Sequence, residues 1–436
     1  MTNTLAPAAG IVGSRLDETP WRGGWRQGLS YGGLGLPLTF VALPLYVALP
    51  NHYATVYGIP LTLLGALLLG ARLIDAFADP LIGRWVDALF TASPRRALRA
   101  ASIAAVVLGA GFAGLFVPPL RQRGALLGWC AVMLVVTYLA YSVITVIHQA
   151  WGARLGGNEP QRARVVAWRE GLALVGVLLA SVLPALLGLE VMVLSFALLL
   201  GVGLVLLVNA PRPLMASPPQ SRQPLNLPWS NPAFVALLVV YLLNGIASAI
   251  PATLVLFFIR DVLQAPAFEP LFLALYFAAG ALSIPLWVRL VSRVGLARAW
   301  LVGMALAMLV FVTAAGLSAG DVVAYAAVCT LSGVALGADL TMPGALLAGV
   351  IQRASQSGSA EGAYFGWWNF ATKLNLALAA GLALPLLQAF GYAPGARGGA
   401  ELAALSLAYC VLPCALKLIA AALLFIQLRR GSIAST

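Results

Sequence analysis

Apolar stretches of roughly 20 residues recur along nearly the whole chain, and each can cross a ~30 Å hydrocarbon layer as a helix. In lipid, only helices and closed barrels satisfy every backbone polar group. Continuous Leu, Ala and Val runs favour helices, because barrel strands alternate apolar and polar residues. The composition agrees, with 61% hydrophobic against 9% charged residues. We therefore predict an all-α, polytopic protein embedded in a lipid bilayer.

The apolar stretches fall into two sets of six. We predict twelve transmembrane helices, at residues 27–49, 59–84, 97–117, 125–149, 165–187, 189–208, 232–259, 268–290, 298–316, 321–351, 362–389 and 402–427. A proline-rich linker at 209–231 separates a six-helix bundle at 27–208 from a second at 232–427, and tails at 1–26 and 428–436 flank them. Glycines with Pro37 and Pro44 predict that the first crossing is a broken helix lining a cavity.

The basic residues lie mostly on one side of the predicted bundle. A formal net charge of +12 could indicate a nucleic-acid-binding protein. However, the connections on one side hold most of the arginines, and the opposite connections hold only Arg121, Arg123, Arg260 and Arg397. By the positive-inside rule, both termini are cytoplasmic. The charge therefore indicates orientation in the membrane, and we expect no nucleic-acid partner.

A short internal repeat links the second and eighth crossings. Residues 80–86 read PLIGRWV and residues 285–291 read PLWVRLV. Duplicated halves are common in transporters, so the match favours two pseudo-symmetric six-helix halves. Aligning the prolines sets Asp79 against Ile284 and Asp75 against Gly280. If the halves are repeats, acidic groups were placed on this helix in the amino-terminal half only.

Three ionisable side chains lie within the second predicted crossing. Arg72, Asp75 and Asp79 are spaced i, i+3 and i+7, which puts them on one helical stripe. An acid at the centre of a membrane helix costs about 2.5–3.5 kcal/mol on insertion scales, so this stripe must face protein or water. Intramembrane carboxylates are typical of ion or substrate pathways. The alternative is that they only hold the helix in register, or that Asp79 belongs to the membrane rim.

Two further charges lie at a similar depth. At a rise of about 1.5 Å per residue, Asp339 of the tenth crossing and Lys373 of the eleventh share one layer with the acids of the second. Together with Arg72, these groups sum to minus one when ionised, which leaves room for one proton or Na⁺. If Asp339 instead faces another helix, the sum becomes zero.

Lys373 lies too deep for its side chain to reach the interface readily, which favours a functional role. Asn369 and Thr372 accompany it among tryptophans. Lys417 has no polar neighbours along its crossing, so we predict an inward-facing structural lysine. His148, beside Gln149 and Trp151, is either an internally hydrogen-bonded histidine or a substrate contact.

Two histidines and the absence of clustered metal-ligand residues in the sequence predict no zinc site and no nucleophile–base pair. A polytopic membrane transferase, the alternative from another class, should have catalytic acids or histidines near one interface and a sizeable soluble loop. A non-transporting sensor should have a long soluble output region. The sequence carries neither, which favours transport.

Three motifs together resemble the glycoside-pentoside-hexuronide:cation symporters of the major facilitator superfamily, and the resemblance covers most of the chain. RLIDAFADPLIG at residues 72–83 is similar to the family's helix-two cation motif. AWGARL at 150–155, followed by Arg162 and Arg169, is similar to the signature after helix four. GWWNFATK at 366–373 is similar to the helix-eleven lysine segment.

The resemblance implies a major facilitator fold whose two halves rock to expose a central cavity to each side in turn. It implies that Asp75 and Asp79 bind the coupling cation, with Ser142 as a hydroxyl ligand. It also implies that Arg169 and Lys373 border the substrate cavity.

The chain departs from the family pattern at several positions. Thr39 and Thr145 stand where the family has acids that hold sugar hydroxyls. Ala78 replaces an amide whose oxygen would suit Na⁺, a hard cation that prefers oxygen ligands, so proton coupling is favoured. Arg154 stands where the family usually has an acid.

We therefore expect a symporter, coupled to H⁺ rather than Na⁺, that carries a small solute such as a sugar or glycoside. A non-sugar solute, such as a lipid or an amino-acid derivative, is the alternative. We expect a monomer in the bacterial inner membrane, with no cofactor and no metal other than possible Na⁺ at Asp75 and Asp79. The predicted cavity residues are Thr39, Thr145, His148, Gln149, Trp151, Arg169, Asn369, Thr372 and Lys373.

Overall fold

The computed structural model describes residues 21–120, 122–214, 224–389, 391–392, 395 and 398–431. Arg121 and Arg397, most of the predicted amino-terminal tail, the middle of the predicted linker and the end of the carboxy-terminal tail lie outside the described residues. The described residues form helices joined mostly by short connections.

The described residues of the amino-terminal half form seven α-helices and one π-helical segment. They are α1 (Trp25–Gly32), α2 (Gly35–Phe40), the π-helical segment Pro44–Ala48, α3 (Leu49–Tyr57), α4 (Leu61–Ala92), α5 (Pro94–Phe116), α6 (Arg123–Ala153) and α7 (Glu159–Val208). Gly188, with φ 84° and ψ 173°, interrupts α7 and divides it into two arms. L side chains rarely adopt such a positive φ, which explains why a glycine marks this break.

Seven more α-helices are formed by the part of the carboxy-terminal half that the structure describes. They are α8 (Pro232–Phe257), α9 (Glu269–Val294), α10 (Leu296–Ala314), α11 (Val322–Arg353), α12 (Glu361–Ala389), α13 (Gly399–Ser406) and α14 (Leu412–Arg429). Short 3₁₀ turns at Leu227–Ser230 and Pro266–Phe268 precede α8 and α9. The π-helical segments Phe258–Val262 and Leu407–Val411 follow α8 and α13.

Ten segments among the described residues are long and apolar enough to cross a membrane. They include the broken helix Trp25–Tyr57, the two arms of α7, and the combined segment Gly399–Arg429. Helices α4 and α12 are not among the ten. They contain 32 and 29 residues, more than the ~20 that one crossing needs. The protein is thus an all-helical, multi-pass membrane protein.

The first crossing is broken as predicted, and its Tyr31 lines a small cavity, whereas Gly32 and Gly35 serve helix packing. A Cβ atom on Gly32 would lie 2.6 Å from the Trp168 carbonyl oxygen, and one on Gly35 would lie 2.6 Å from that of Arg169. Both carbonyls belong to α7. The glycines therefore let α1 and α2 approach the α7 backbone closely.

The two halves meet along a limited set of helices. In the amino-terminal half α4 packs on α6, and in the carboxy-terminal half α9 and α10 pack on α11. Between the halves, α12 packs on α4 and α6, and α7 packs on α9 and α11. Helix α12 also packs on α8 of its own half, so it lies at the boundary.

One end of the bundle, here called the basic end, holds Arg96, Arg154, Arg162, Arg298 and Arg353. The halves are joined there, because Glu159 accepts a hydrogen bond from the Leu296 backbone and Arg162 donates to Gln352. Towards the opposite end, the apolar cluster around Tyr325 and Tyr409 contains residues of the carboxy-terminal half only, among the described residues. The structure is therefore closed at the basic end.

Candidate functional site

Two antiparallel helices bring the predicted acids and lysine to one level. At 1.5 Å per residue, Asp79 lies about 20 Å from the end of α4, and Lys373 lies about 18 Å from the start of α12. Both of those helix ends are at the basic end. Because α4 packs on α12, side chains at matching depth and facing the contact must meet.

Asp75 and Asp79 share one lysine. The Lys373 Nζ atom lies 2.8 Å from Asp75 Oδ2 and 2.6 Å from Asp79 Oδ2. The Lys373 ammonium also donates to Ser142 Oγ at 2.8 Å, and Ser142 donates to Asp75 Oδ1 at 2.6 Å. Both carboxylates are fully buried, whereas the lysine side chain is 13% exposed. The acids belong to one half of the protein and the lysine to the other.

Arg72 completes the group, here called the central cluster: Arg72, Asp75, Asp79, Ser142 and Lys373. Its Nη1 atom lies 3.9 Å from Asp75 Oδ2, a weaker contact than that of Lys373. Its guanidinium lies 4.2 Å from the Tyr46 ring centroid and 4.4 Å from that of Tyr138. Cation–π attraction therefore supplements the ion pair in holding Arg72. The sequence did not point to these two tyrosines.

The predicted charge network that joined Asp339 to the central cluster is wrong. Asp339 lies about 21 Å from the end of α11, a depth similar to that of Lys373, but it pairs with Lys417 of α14 at 2.8 Å. The central cluster is then formally neutral, because two carboxylates face one ammonium and one guanidinium. Depth follows from residue count, whereas the partner depends on the direction in which each helix face points.

Lys417 faces inward, as the sequence predicts, and it is buried among polar partners that the sequence did not indicate. Its Nζ atom donates to Asn244 Oδ1 at 2.7 Å, to Ser248 Oγ at 3.3 Å and to Asp339 Oδ2 at 2.8 Å. Trp300 Nε1 and Asn244 Nδ2 donate to Asp339 Oδ1 at 2.8 and 3.1 Å. These five residues, here called the C-terminal cluster, all belong to one half. Polar partners on α8 and α11, far apart in sequence, could not be inferred from the sequence around Lys417.

Arg154 joins the halves at the basic end. Its Nη2 atom lies 2.8 Å from Asp87 Oδ1, and its Nε atom lies 2.8 Å from Glu361 Oε2 at the start of α12. Asp87 also accepts hydrogen bonds from the Gly362 and Ala363 backbone N–H groups, both at 2.7 Å. An arginine at position 154 therefore has a physical reason, since it neutralises one acid from each half.

Glycines allow α4 and α12 to approach closely beside this contact. A Cβ atom on Gly83 would lie 2.1 Å from the Gly362 carbonyl oxygen, and one on Gly366 would lie 2.5 Å from that of Asp79. Neither clash can be relieved by moving a side chain, because both neighbours are backbone atoms. Lys373 meets Asp79 about two to three turns further along α12 from these glycines.

Several predicted cavity residues do lie near the boundary between the halves. Gln149 and Arg169 line a small cavity together with Gly344 and Phe365 of the other half. Arg169 also pairs with Glu170 at 2.6 Å, an acid that the sequence analysis did not single out. Thr145 falls between Ser142 and Gln149 on the same face of α6, by the i, i+3, i+7 spacing.

Asn369 and Thr372 of α12 differ in their partners. Asn369 Nδ2 is buried and has no hydrogen-bond partner among the described residues. Thr372 shares a 2.8 Å hydrogen bond with the Tyr241 hydroxyl, and the Tyr241 ring stacks on Trp368 at 3.9 Å between centroids. Between the basic end and Lys373, α12 thus presents amide, hydroxyl and aromatic groups, with Tyr241 of α8 beside them.

Three of the predicted cavity residues make structural contacts instead. Trp151 is buried against Phe90, and its indole N–H donates to the Pro211 carbonyl at 3.0 Å. His148 is buried, and its Nε2 atom lies 2.8 Å from the Tyr31 carbonyl oxygen. Thr39 donates to the Ala173 carbonyl at 2.6 Å, which joins α2 to α7. Their polar atoms bond to backbone groups of neighbouring segments, and none of the three lines the small cavity around Gln149 and Arg169, so their cavity role stays a prediction.

Within the described part of the chain, no three His, Cys, Asp or Glu side chains converge in a way that could hold a metal ion. The central cluster contains two acids, and both already contact Lys373. Redistribution of protons and rearrangement of ion pairs are the chemistry that these groups can perform.

The fold is similar to that of solved transporters. A bacterial homologue of the iron transporter ferroportin, in the outward-facing state, has a TM-score of 0.68 and 16% identity, over 91% of this chain and 99% of that chain. The human organic anion transporter MFSD10 (TETRAN) has a TM-score of 0.64 and 16% identity, over 92% and 99%. The major facilitator superfamily transporter FucP, in the outward conformation, has a TM-score of 0.65 and 12% identity, over 93% and 99%. At these identities, the similarity establishes the fold alone.

Comparison of sequences gives the family. No curated protein matches the chain significantly. A family model described as MFS/sugar transport protein matches residues 28–428, and this family is that of the melibiose-permease-like symporters. The match confirms the resemblance carried by the three motifs and indicates a transporter rather than an enzyme. The chain belongs to the MFS/sugar transport protein family of the major facilitator superfamily.

Proposed function

We propose that this protein is a proton-coupled symporter of a small solute, and that the central cluster is its coupling site. The observation that carries the proposal is the position of the Lys373 ammonium, 2.8 Å from Asp75 and 2.6 Å from Asp79, across the boundary between the halves. A contact made between halves must change when they rock. A contact within one half need not.

Protonation of either carboxylate changes the attraction for Lys373. With both acids ionised, the ammonium bridges two negative charges in a buried site, where charge interactions are stronger than in water. When one acid takes a proton, Lys373 retains one charged partner and the bond between the halves weakens. Proton binding and release thereby bias the relative position of α4 and α12.

The same geometry supports H⁺ over Na⁺. Na⁺ would need several oxygen ligands in a vacant position, and hard cations prefer such ligands. The space between the carboxylates is held by the ammonium, and Ala78 supplies no amide oxygen. A proton needs only a lone pair on Asp75 or Asp79.

Alternating access explains the arrangement of contacts between the halves. We propose twelve crossings, with α4 and α12 joining the ten segments above, and both termini in the cytoplasm by the positive-inside rule. The basic end is then cytoplasmic, and the closed contact of Arg154 with Asp87 and Glu361 makes this an outward-facing state. Opening to the cytoplasm requires this contact and the one at Lys373 to separate.

A sugar or glycoside is the solute that the boundary residues favour. Gln149, Arg169, Asn369 and Thr372 present amide, guanidinium and hydroxyl groups near the boundary. The stacked Tyr241–Trp368 pair adds an aromatic surface beside them. Dispersed hydrogen-bonding groups with an aromatic surface match a polyhydroxylated ring better than a purely apolar molecule. A non-sugar solute is the alternative within the same fold.

The family and the apolar helices support a location in a membrane. We propose a monomer in the bacterial inner membrane that works with its solute and a coupling proton and needs no other cofactor. The lipid bilayer is its remaining partner.

Uptake into proteoliposomes tests the proposal. The purified protein is given a panel of radiolabelled sugars, glycosides and amino-acid derivatives, under an imposed proton or Na⁺ gradient. We expect accumulation of a sugar or glycoside that follows the proton gradient and stops when a protonophore is added. Accumulation that follows only the Na⁺ gradient, or that needs neither gradient, would overturn the coupling proposal.

A further inference from the structure

Glu170 is an acid at the boundary between the halves that has no part in the central cluster. It lies on α7, one turn after Val166 and one turn before Leu174. Val166 lies 3.7 Å from the position of a Cβ atom on Gly344 of α11. Leu174 lies 3.7 Å from that of a Cβ atom on Gly280 of α9. Because residues four apart share one helix face, Glu170 faces the carboxy-terminal half.

The Glu170 carboxylate is held in place by its neighbour. Arg169 Nε donates to Glu170 Oε1 at 2.8 Å, and Arg169 Nη2 lies 2.6 Å from the same oxygen. The two side chains are 13% and 18% exposed, so the pair lies largely out of water. Among the described residues, no hydrogen bond is made to the other oxygen, Oε2. One oxygen is therefore fixed by the guanidinium, and the other remains available as an acceptor.

Polar atoms without partners lie beside this pair. Arg169 and Gln149 line the same small cavity at the boundary, together with Phe365 of α12. Asn369 lies one turn beyond Phe365 on that helix. The buried atoms Gln149 Oε1 and Asn369 Nδ2 have no hydrogen-bond partner among the described residues. An unpartnered buried polar atom is unfavourable, so these two atoms need a partner from a molecule that enters the boundary.

The Arg169–Glu170 pair restricts the charge of such a molecule. An anionic solute would have to displace Glu170 from Arg169, and it would lie beside a like charge. A cationic solute would be attracted by Glu170 and repelled by Arg169 at once. A hydroxyl group needs no displacement, because it donates to Oε2 while Arg169 keeps its contacts with Oε1. The pair therefore favours uncharged, hydroxyl-bearing solutes.

We propose that Glu170 determines the specificity of this protein for its solute. Its Oε2 atom accepts a hydrogen bond from a solute hydroxyl group, and its pairing with Arg169 excludes anionic solutes. The inference rests on the transport of a small solute proposed above, and it narrows that solute to uncharged polyhydroxylated molecules.

Equilibrium binding tests the inference without any ion gradient. The purified full-length protein in detergent is titrated with radiolabelled methyl glycosides of glucose, galactose and mannose, and with those of the corresponding hexuronic acids. We expect at least one neutral glycoside to bind about tenfold more tightly than its hexuronic acid counterpart, because hydrogen bonds to charged groups contribute about this much affinity. Binding of no neutral glycoside, or equal binding within every pair, would overturn the proposal.

Glu170→Gln should remove this preference. The amide has nearly the shape of the carboxylate, but it leaves the Arg169 charge without its counter-ion. We expect the affinity for the neutral glycoside to fall about tenfold and that for the hexuronic acid glycoside to rise. A folded variant that keeps the wild-type preference would show that Glu170 only neutralises Arg169.

Glu190→Gln is the matched control. Glu190 belongs to the same helix, beyond the break at Gly188, and it is exposed. Both affinities should stay as in the wild type. A loss in this control equal to that in Glu170→Gln would contradict a local contact at Glu170.

Glu170→Asp keeps the inference testable if the amide variant does not fold. It retains the charge but shortens the side chain by one methylene group, so the carboxylate is withdrawn from the solute. We expect weaker binding of the neutral glycoside and no gain for the hexuronic acid glycoside. Unchanged binding of the neutral glycoside would remove Glu170 from the solute site.

These measurements separate the inference from the coupling proposal. Binding at equilibrium needs no proton movement, so a failed selectivity prediction leaves proton-driven accumulation unaffected. Selective binding of a neutral glycoside that the wild type does not accumulate under a proton gradient would support the role of Glu170 and contradict the coupling proposal alone.

Discussion

The central cluster and the C-terminal cluster both pair lysine with aspartate, but the first joins the two halves and the second lies within one half. Each pairs a buried lysine with aspartate at a similar depth in the bundle. In the first, Lys373 of α12 reaches acids of α4 in the other half. In the second, Lys417 and Asp339 belong to the same half and share Asn244 and Ser248. The role of such an ion pair therefore depends on whether its partners belong to the same half or to different halves.

Hydrogen bonding separates the clusters further. Asp339 receives bonds from an indole, an amide, a hydroxyl and an ammonium. Such saturation lowers the cost of keeping the charges buried and favours a permanent pair. In the central cluster, Ser142 is the hydroxyl that joins Asp75 to Lys373. Fewer fixed partners leave the central acids better placed to exchange protons.

Asp75→Asn should have the largest effect on transport. The amide cannot take up and release a proton, so we expect solute no longer to accumulate above its equilibrium level, while the protein folds and inserts normally. Proteoliposome uptake under a proton gradient measures this, and size-exclusion chromatography checks folding. Undiminished uphill uptake would reject the coupling role.

The double variant Asp339→Asn with Lys417→Met is the matched control for that result. It removes one positive and one negative charge from the C-terminal cluster, so the net charge of the half is unchanged. We expect uphill uptake to persist, because this pair does not cross the boundary between the halves. If the double variant folds but loses coupling, the two clusters do not differ in the way proposed here.

Lys417→Met alone should have the largest effect on stability. It leaves the Asp339 carboxylate, which is only 15% exposed, without its cation, and removing one partner of a buried pair costs up to about 3–5 kcal/mol. Thermal unfolding in detergent measures the loss. The double variant should recover much of it, whereas Leu418→Met, at a position 59% exposed, should change little. A single variant as stable as the control would mean that the pair is dispensable.

Arg154→Gln should shift the conformation rather than unfold the protein. Losing hydrogen bonds between charged groups costs about 1.5–3 kcal/mol, and here both acids are at the contact between the halves. We expect longer distances between spin labels at Arg95→Cys and Arg298→Cys, both exposed at the basic end. Electron paramagnetic resonance measures the change.

Arg96→Gln serves as control for that experiment, because Arg96 is an exposed arginine at the same end. It should leave the label distances unchanged. Equal distance distributions in Arg154→Gln and Arg96→Gln would show that Arg154 does not hold the basic end closed.

Ser142→Ala should have the smallest effect of the four. It removes one hydroxyl that donates to Asp75 and accepts from Lys373, worth about 1 kcal/mol and thus about a fivefold change in apparent proton affinity. The dependence of uptake rate on pH measures it. Ser283→Ala removes a hydroxyl that donates only to backbone carbonyls of the carboxy-terminal half, at Gly280 and Val334, so it should leave the pH dependence unchanged. Identical pH profiles for both variants would remove Ser142 from the coupling site.

The sequence alone predicted the class of fold and the two acids and the lysine of the central cluster. Apolar runs of bilayer length form helices however those helices pack, because lipid offers the backbone no hydrogen-bond partner. Residue counts along those helices placed Asp75, Asp79 and Lys373 at one depth, and the three motifs indicated the family that comparison confirms. These properties depend on residue types and their spacing along the chain, so they can be predicted from the sequence alone.

Only the tertiary structure decided which charges meet. Asp339 shares the depth of Lys373 but faces Lys417, since the direction of a helix face depends on how the helices pack around it. The partners of Arg154, at Asp87 and Glu361, lie 67 and 207 residues away in the chain. Gly83 and Gly362 set the separation of α4 and α12 through backbone contact, which no spacing in the sequence records. Pairing of buried charges is thus a property of the packed bundle, because it depends on angles and distances between helices that are set jointly by all of them.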